Sequence, residues 1–214
     1  MITLLNILNS RHRAFKNILA FNKVSNDQLT SADLYPISSS GLFFVEITID
    51  TSRFTDGFYE AIIGNHDENA NNVTQWLIQK SNVGGLRFLY TRNNTIIYDD
   101  FIADYPSEVV TIRGEWDDSG VFLYVNGDLK ATNATVIRPN APTGPILVGG
   151  RNGIQQANFD LYSININNEH IWLLPEGNGY PITSETTSRV MTGSTDNVGG
   201  LTYWDENVWK KVTL

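Results

Sequence analysis

The feature that most constrains this chain is the spacing of its apolar residues. In Gly41-Leu-Phe-Phe-Val-Glu-Ile-Thr-Ile-Asp50, Phe43, Val45, Ile47 and Ile49 fall on one face and Glu46, Thr48 and Asp50 on the other. A period of two marks a half-buried strand, because successive side chains of an extended backbone point to opposite faces. Similar runs recur at 58–64, 73–80, 86–91, 95–101, 109–116, 121–126, 146–149, 159–167 and 170–174. Between them lies turn chemistry. Asn126-Gly127 is the strongest hairpin signal, since a type I′ turn needs positive φ at both central residues. Gly84-Gly85, Asn93-Asn94, Asp118-Ser-Gly120, Gly149-Gly150, Asn152-Gly153 and Asn178-Gly179 mark further reversals. Many short strands without intervening helical patterns predict an all-β, antiparallel sandwich or barrel.

The chain has 214 residues and no cysteine. A domain of that length buries enough surface to fold without disulfide or metal staples. The lack of cysteine excludes a disulfide framework, thiolate-ligated zinc, an iron–sulfur cluster and a thiol nucleophile. No apolar run is long enough for a membrane-spanning helix, so no membrane partner is expected. The apolar-then-basic start, Met1-Ile-Thr-Leu-Leu-Asn-Ile-Leu followed by Arg11 and Arg13, reverses the order of a secretory leader.

The formal charge of −8 is unevenly placed. Residues 1–26 hold four bases (Arg11, Arg13, Lys16, Lys23) and no acid, while the remaining eleven Lys and Arg face 23 Asp and Glu, giving −12. So acidic a body repels phosphate, and nucleic-acid binding by it is not expected. Residues 1–16 read as an anchoring arm that would pack on a neighbouring subunit through Leu4, Leu5, Ile7, Leu8, Arg11 and Arg13, with any helix confined to residues 2–16. Residues 17–174 read as the sandwich. Residues 175–214 read as a strand-and-loop extension packed on the same domain, with Trp204 and Trp209 facing the domain, a neighbouring subunit or a ligand. Trp76 and Trp172 lie within strand runs and are expected in the core.

Three segments carry a family resemblance. Thr111-Ile-Arg-Gly-Glu-Trp116-Asp-Asp-Ser-Gly120-Val-Phe-Leu-Tyr-Val125-Asn-Gly127 resembles the central hairpin of laminin G-like and pentraxin-like domains. Ile146-Leu-Val-Gly-Gly150 resembles the strand that follows it, and Phe159-Asp-Leu-Tyr-Ser-Ile164 the closing strand. With an opening strand at Asn17–Asp27, the resemblance runs over roughly residues 17–167, to the concanavalin A-like lectin/glucanase superfamily. It implies a jelly-roll sandwich used by lectins, by hydrolases and by plain structural modules, so fold alone leaves function open. It also implies calcium as the possible cofactor, with Asp27 and Asp160 as the ligands to be coupled; adjacent aspartates are otherwise solvated turn residues.

The hydrolase branch calls for a Glu-x-Asp-x-x-Glu pattern. Glu115-Trp-Asp117 begins it, but Gly120 stands in the third position, so no catalytic residues are assigned and Glu115 and Asp117 are read as flanking a turn. Gly64-Asn-His-Asp-Glu-Asn69 is a loop candidate that would offer His66, Asp67 and Asn69 to a ligand, against a plain hydrophilic turn. Sugar sites stack a Trp or Tyr on the apolar face of the ring, which keeps Trp204 and Trp209 as further ligand candidates. His170-Ile-Trp-Leu-Leu-Pro-Glu-Gly-Asn-Gly resembles an element that follows laminin G-like domains in bacteriophage virion proteins. The leading expectation is therefore a non-enzymatic virion structural protein, oligomeric and held to other virion proteins by its arm. It would show a lectin-like domain on the outer surface, with weak binding to host glycans. A secreted or surface carbohydrate-binding module is the alternative, and a glycan hydrolase ranks below it.

Overall fold

The computed structural model describes residues 19–21, 23, 28–31, 41–67, 73–92, 95–97, 104–134, 145–150, 155–173, 182–183, 190–193, 202–205 and 208–211. They form two antiparallel sheets and, among the described residues, no α-helix. The first sheet contains β1 (Leu19–Phe21), β3 (Phe43–Asp50), β8 (Val109–Trp116), β9 (Val121–Val125), β10 (Asp128–Asn133), β12 (Phe159–Ile166), β13 (His170–Leu173), β16 (Thr202–Asp205) and β17 (Val208–Lys211). Its order is β10-β9-β8-β3-β12-β1-β16-β17, with β13 also on β12. The second contains β2 (Leu29–Ser31), β4 (Glu60–Asp67), β5 (Val73–Lys80), β6 (Leu86–Arg92), β7 (Thr95–Ile97), β11 (Ile146–Val148), β14 (Ile182–Thr183) and β15 (Val190–Gly193). Its order is β14-β15-β2-β11-β4-β5-β6-β7. The alternation read in the sequence is thus realised as a jelly-roll sandwich, and strands from residues 182–211 extend both sheets.

The two inner faces close on one core. Phe43, Val45, Ile47, Ile49, Ile112, Leu123, Val125, Leu161 and Ile164 come from the first sheet, and Ile62, Ile78, Leu86 and Phe88 from the second. Aromatic rings bridge the layers. Trp116 of β8 meets Phe88 of β6 edge-on at 5.0 Å between ring centres, Phe43 at 4.8 Å and Trp76 of β5 at 6.4 Å. Trp76 therefore sits in the core as expected; Trp172 lies on β13, with its side chain outside the described residues.

Hairpin chemistry sets the register. Asn126 and Gly127 adopt φ of 55° and 85°, the pair of positive angles that a two-residue turn between β9 and β10 requires. Between β8 and β9, Asp117 Oδ1 accepts hydrogen bonds from the Ser119 and Gly120 amides and the Ser119 hydroxyl, closing a four-residue turn that pairs Trp116 with Val121.

Two boundaries differ from the sequence reading. The strand expected at 58–64 runs from Glu60 to Asp67, so Asn65, His66 and Asp67 belong to β4 and not to a loop. The cause is pairing with β5, where Asn65 lies opposite Trp76, His66 opposite Thr74 and Asp67 opposite Val73 across a bulge. Phe58 and Tyr59 instead close the loop that precedes β4.

Gly114 of β8 points inward, and a methyl group there would come within 2.6 Å of the Phe88 ring. Because that ring is buried against Trp116, it has nowhere to go. Gly114→Ala is expected to lower unfolding free energy by about 1–3 kcal/mol through overpacking; a urea midpoint equal to that of the parent protein would show that the core absorbs the methyl group.

Candidate functional site

On the outer face of the first sheet, strand register sets four polar residues in a row. Asn165 of β12 lies opposite Glu46 of β3, Glu46 opposite Arg113 of β8, and Arg113 opposite Tyr124 of β9. Flanking rows pair Phe44 with Glu115 and Glu115 with Phe122 on one side, and Ser163 with Thr48 and Thr48 with Thr111 on the other. Glu46, Thr111, Arg113, Glu115, Tyr124 and Gly127 line a shallow depression of about 330 Å³.

Arg113 organises it. Its Nε and Nη2 both donate to Glu115 Oε2, at 2.8 and 2.6 Å, and its Nη1 lies 4.0 Å from Glu46 Oε2. The guanidinium carbon sits 3.6 Å from the centre of the Phe44 ring, a cation–π contact that holds the plane flat. The Thr48 and Thr111 hydroxyls share a hydrogen bond at 3.0 Å. The Thr111 amide donates to Asn126 Oδ1 at 2.9 Å, and the Asn126 amide donates to Thr111 O at 2.8 Å, which fixes Gly127 at the rim. Burial and the nearby Glu115 carboxylate raise the Tyr124 phenol against the lowering effect of Arg113, so Tyr124 presents an O–H. The result is a rigid, partly exposed set of carboxylate acceptors and hydroxyl groups beside aromatic surface.

Further along the same strands, Asp50 and Asp160 lie opposite each other, and Arg53 forms an ion pair with Asp160. Burial raises the Asp160 pKa, Arg53 opposes that shift and Asp50 adds to it. Among the described residues no group of three or more His, Asp or Glu stands where it could hold a metal ion. Asp27, the expected partner of Asp160, lies outside the described residues.

The remaining sequence candidates are not brought together here. His66 and Asp67 are at the end of β4 in the second sheet, Trp204 is on β16 and Trp209 on β17, opposite each other in register. Leu4, Leu5, Ile7, Leu8, Arg11, Arg13 and Asn69, like any helix within 2–16, lie outside the described residues. Asp117 caps its turn and Glu115 holds Arg113, as expected of residues flanking a turn. Sequence reasoning overlooked Glu46, Thr111, Arg113 and Tyr124 as a group. The period-two alternation does place Thr111, Arg113 and Glu115 on one face of β8.

No protein-family model and no curated protein matches the chain. Solved structures share its fold. A Bacteroides ovatus protein whose name describes it as carbohydrate binding superposes over 94% of this chain with a TM-score of 0.60 at 13% identity, and this chain spans 62% of its length. The heptameric SAP-like pentraxin of Limulus polyphemus superposes over 72% of this chain and 76% of its own, with a TM-score of 0.52 at 16% identity. Trypanosoma rangeli sialidase aligns over 59% of this chain and 20% of its own, with a TM-score of 0.44 at 15% identity. With the first two of these the chain shares its fold, a jelly-roll sandwich of two antiparallel sheets.

Tyr162 gives this sheet a pH signature. Burial, then Asp50 and Asp160, push its phenol up to about 12 from 10.0. A raised folded-state pKa contributes stability that is intact below 10.0 and is lost as pH climbs toward about 12, because only the unfolded state ionises early. Tyr162→Phe should therefore flatten the fall in melting temperature over that alkaline interval; an unchanged slope would contradict this assignment.

Proposed function

We propose that this protein is a non-enzymatic carbohydrate-binding module whose ligand lies on the outer face of the first sheet. The observation that carries this reading is the clamped set Glu46–Arg113–Glu115 beside Thr111 and Tyr124 in a depression rimmed by a fixed turn. Carboxylate oxygens accept hydrogen bonds from paired hydroxyls, and an aromatic side chain takes the C–H face of a sugar ring. Because the groups project from strands and are locked by one another, little order has to be imposed when a ligand binds. The Bacteroides ovatus fold neighbour, carbohydrate binding by name, is in keeping with this.

Non-catalytic action is supported by the roles of the carboxylates. Glu115 is committed to Arg113 and Asp117 to its turn, which leaves no acid and nucleophile pair in the hydrolase pattern.

The setting we propose is the outer surface of a bacteriophage virion, reached through the arm at residues 1–16. This rests on the sequence of that arm, with Leu4, Leu5, Ile7 and Leu8 followed by Arg11 and Arg13, and on the virion-type element around Pro175–Gly179. Two measurements test the two parts. On a glycan array, Arg113→Ala should lose tenfold or more in affinity while its circular dichroism spectrum remains that of a folded sandwich, a change equivalent to about 1.4 kcal/mol; undiminished binding would move the ligand elsewhere. Removal of residues 1–16 should leave glycan binding intact and abolish incorporation into particles. Full incorporation would refute anchoring by the arm, whereas absence of the intact protein from particles would favour a secreted or surface module.

A further inference from the structure

We infer that this face selects by charge, taking neutral pyranosides through adjacent hydroxyls and rejecting sugars that carry a carboxylate or sulfate. The inference rests on the carbohydrate-binding reading and names its ligand class.

The cation of the depression is already used. Two of the Arg113 nitrogens donate to one Glu115 oxygen, the third nitrogen faces Glu46, and one side of the guanidinium lies against Phe44. One positive charge thus meets two carboxylates, within a body whose charge beyond residue 26 is −12. On β3, β8, β9, β10 and β12 the only other Lys or Arg is Lys130, and it pairs with Asp128 at 3.3 Å. Arg53, which joins this face from the loop after β3, pairs with Asp160.

An acidic sugar would have to draw Arg113 away from Glu115, whose side chain is only 13% exposed, and would leave that carboxylate without its partner. Stripping one member from a partly buried ion pair is a costly way to bind, and a like charge set beside Glu46 adds repulsion. A neutral diol avoids both. Its two hydroxyls donate to the unused lone pairs of Glu46 and Glu115, and its oxygens accept from the Tyr124 phenol, with no exchange of ion partners.

The test uses the full chain and calorimetric titration at low ionic strength. Neutral β-linked gluco- and galacto-oligosaccharides are compared with the same oligosaccharides carrying a uronic or sialic acid. The expected result is at least tenfold tighter binding of the neutral member of each pair, with the gap narrowing as salt rises because charge repulsion is screened. Glu46→Gln combined with Glu115→Gln frees the guanidinium and should bring the ratio to one or below. The wild-type salt series remains decisive if that variant fails to fold. Equal or tighter binding of acidic members by the parent protein would overturn the selectivity while leaving a carbohydrate-binding face in place. Binding of neither class would overturn the functional reading and this inference together.

Discussion

Everything on the outer face depends on a contact made inside. Phe88 stands in the space left by the missing side chain of Gly114, and Trp116, one inward position further along β8, closes on the same ring. That contact draws the two sheets together at β8. Arg113 and Glu115, which flank Gly114, turn outward from the same short stretch of backbone, in register with β3 and β9. Core packing and site geometry share one strand, and a close-packed interior transmits displacement instead of absorbing it.

Charge follows a consistent pattern across the described residues. Arg113 holds Glu115, Arg53 holds Asp160, and Lys80, buried at the end of β5, donates to the carbonyls of Thr55, Phe58 and Ser81. Few cations exist in this acidic domain, and these three fix a carboxylate or a backbone segment in place. The long-range field of the body follows its net charge of −12 beyond residue 26.

Much of the fold was legible because side-chain period and turn chemistry are local. The alternation of β3 and β8 and the Asn126-Gly127 turn required no knowledge of partners. The Asp117–Gly120 turn even implies that Arg113 lies opposite Tyr124, since a hairpin's register follows from its loop. What could not be read is what arrives from afar. Glu46 and Phe44 meet Arg113 only because β3 pairs with β8 across more than sixty residues of chain, and nothing in a local pattern selects that neighbour. The three-residue strand β2 is too short to show a period, and it exists through its sheet partners. Arg53 and Asp160 are likewise joined only by topology. His66 and Asp67 looked like loop residues because polarity outweighs pairing when no partner strand is in view.

The loop between β3 and β4 has a practical consequence. Buried Glu60 accepts the Thr55 and Asn158 amides and buried Lys80 takes main-chain carbonyls, while Phe58 and Tyr59 remain 58% and 37% exposed. These anchors grip main chain, so they do not depend on the tip side chains, of which Phe58 lies against Lys23 and Tyr59 against Arg87. Gly57, with φ of 76°, is the one tip position that its backbone conformation restricts. The sandwich therefore offers a ready-made graft point, where foreign tip residues could be displayed in a fixed conformation without redesign of the frame that holds them.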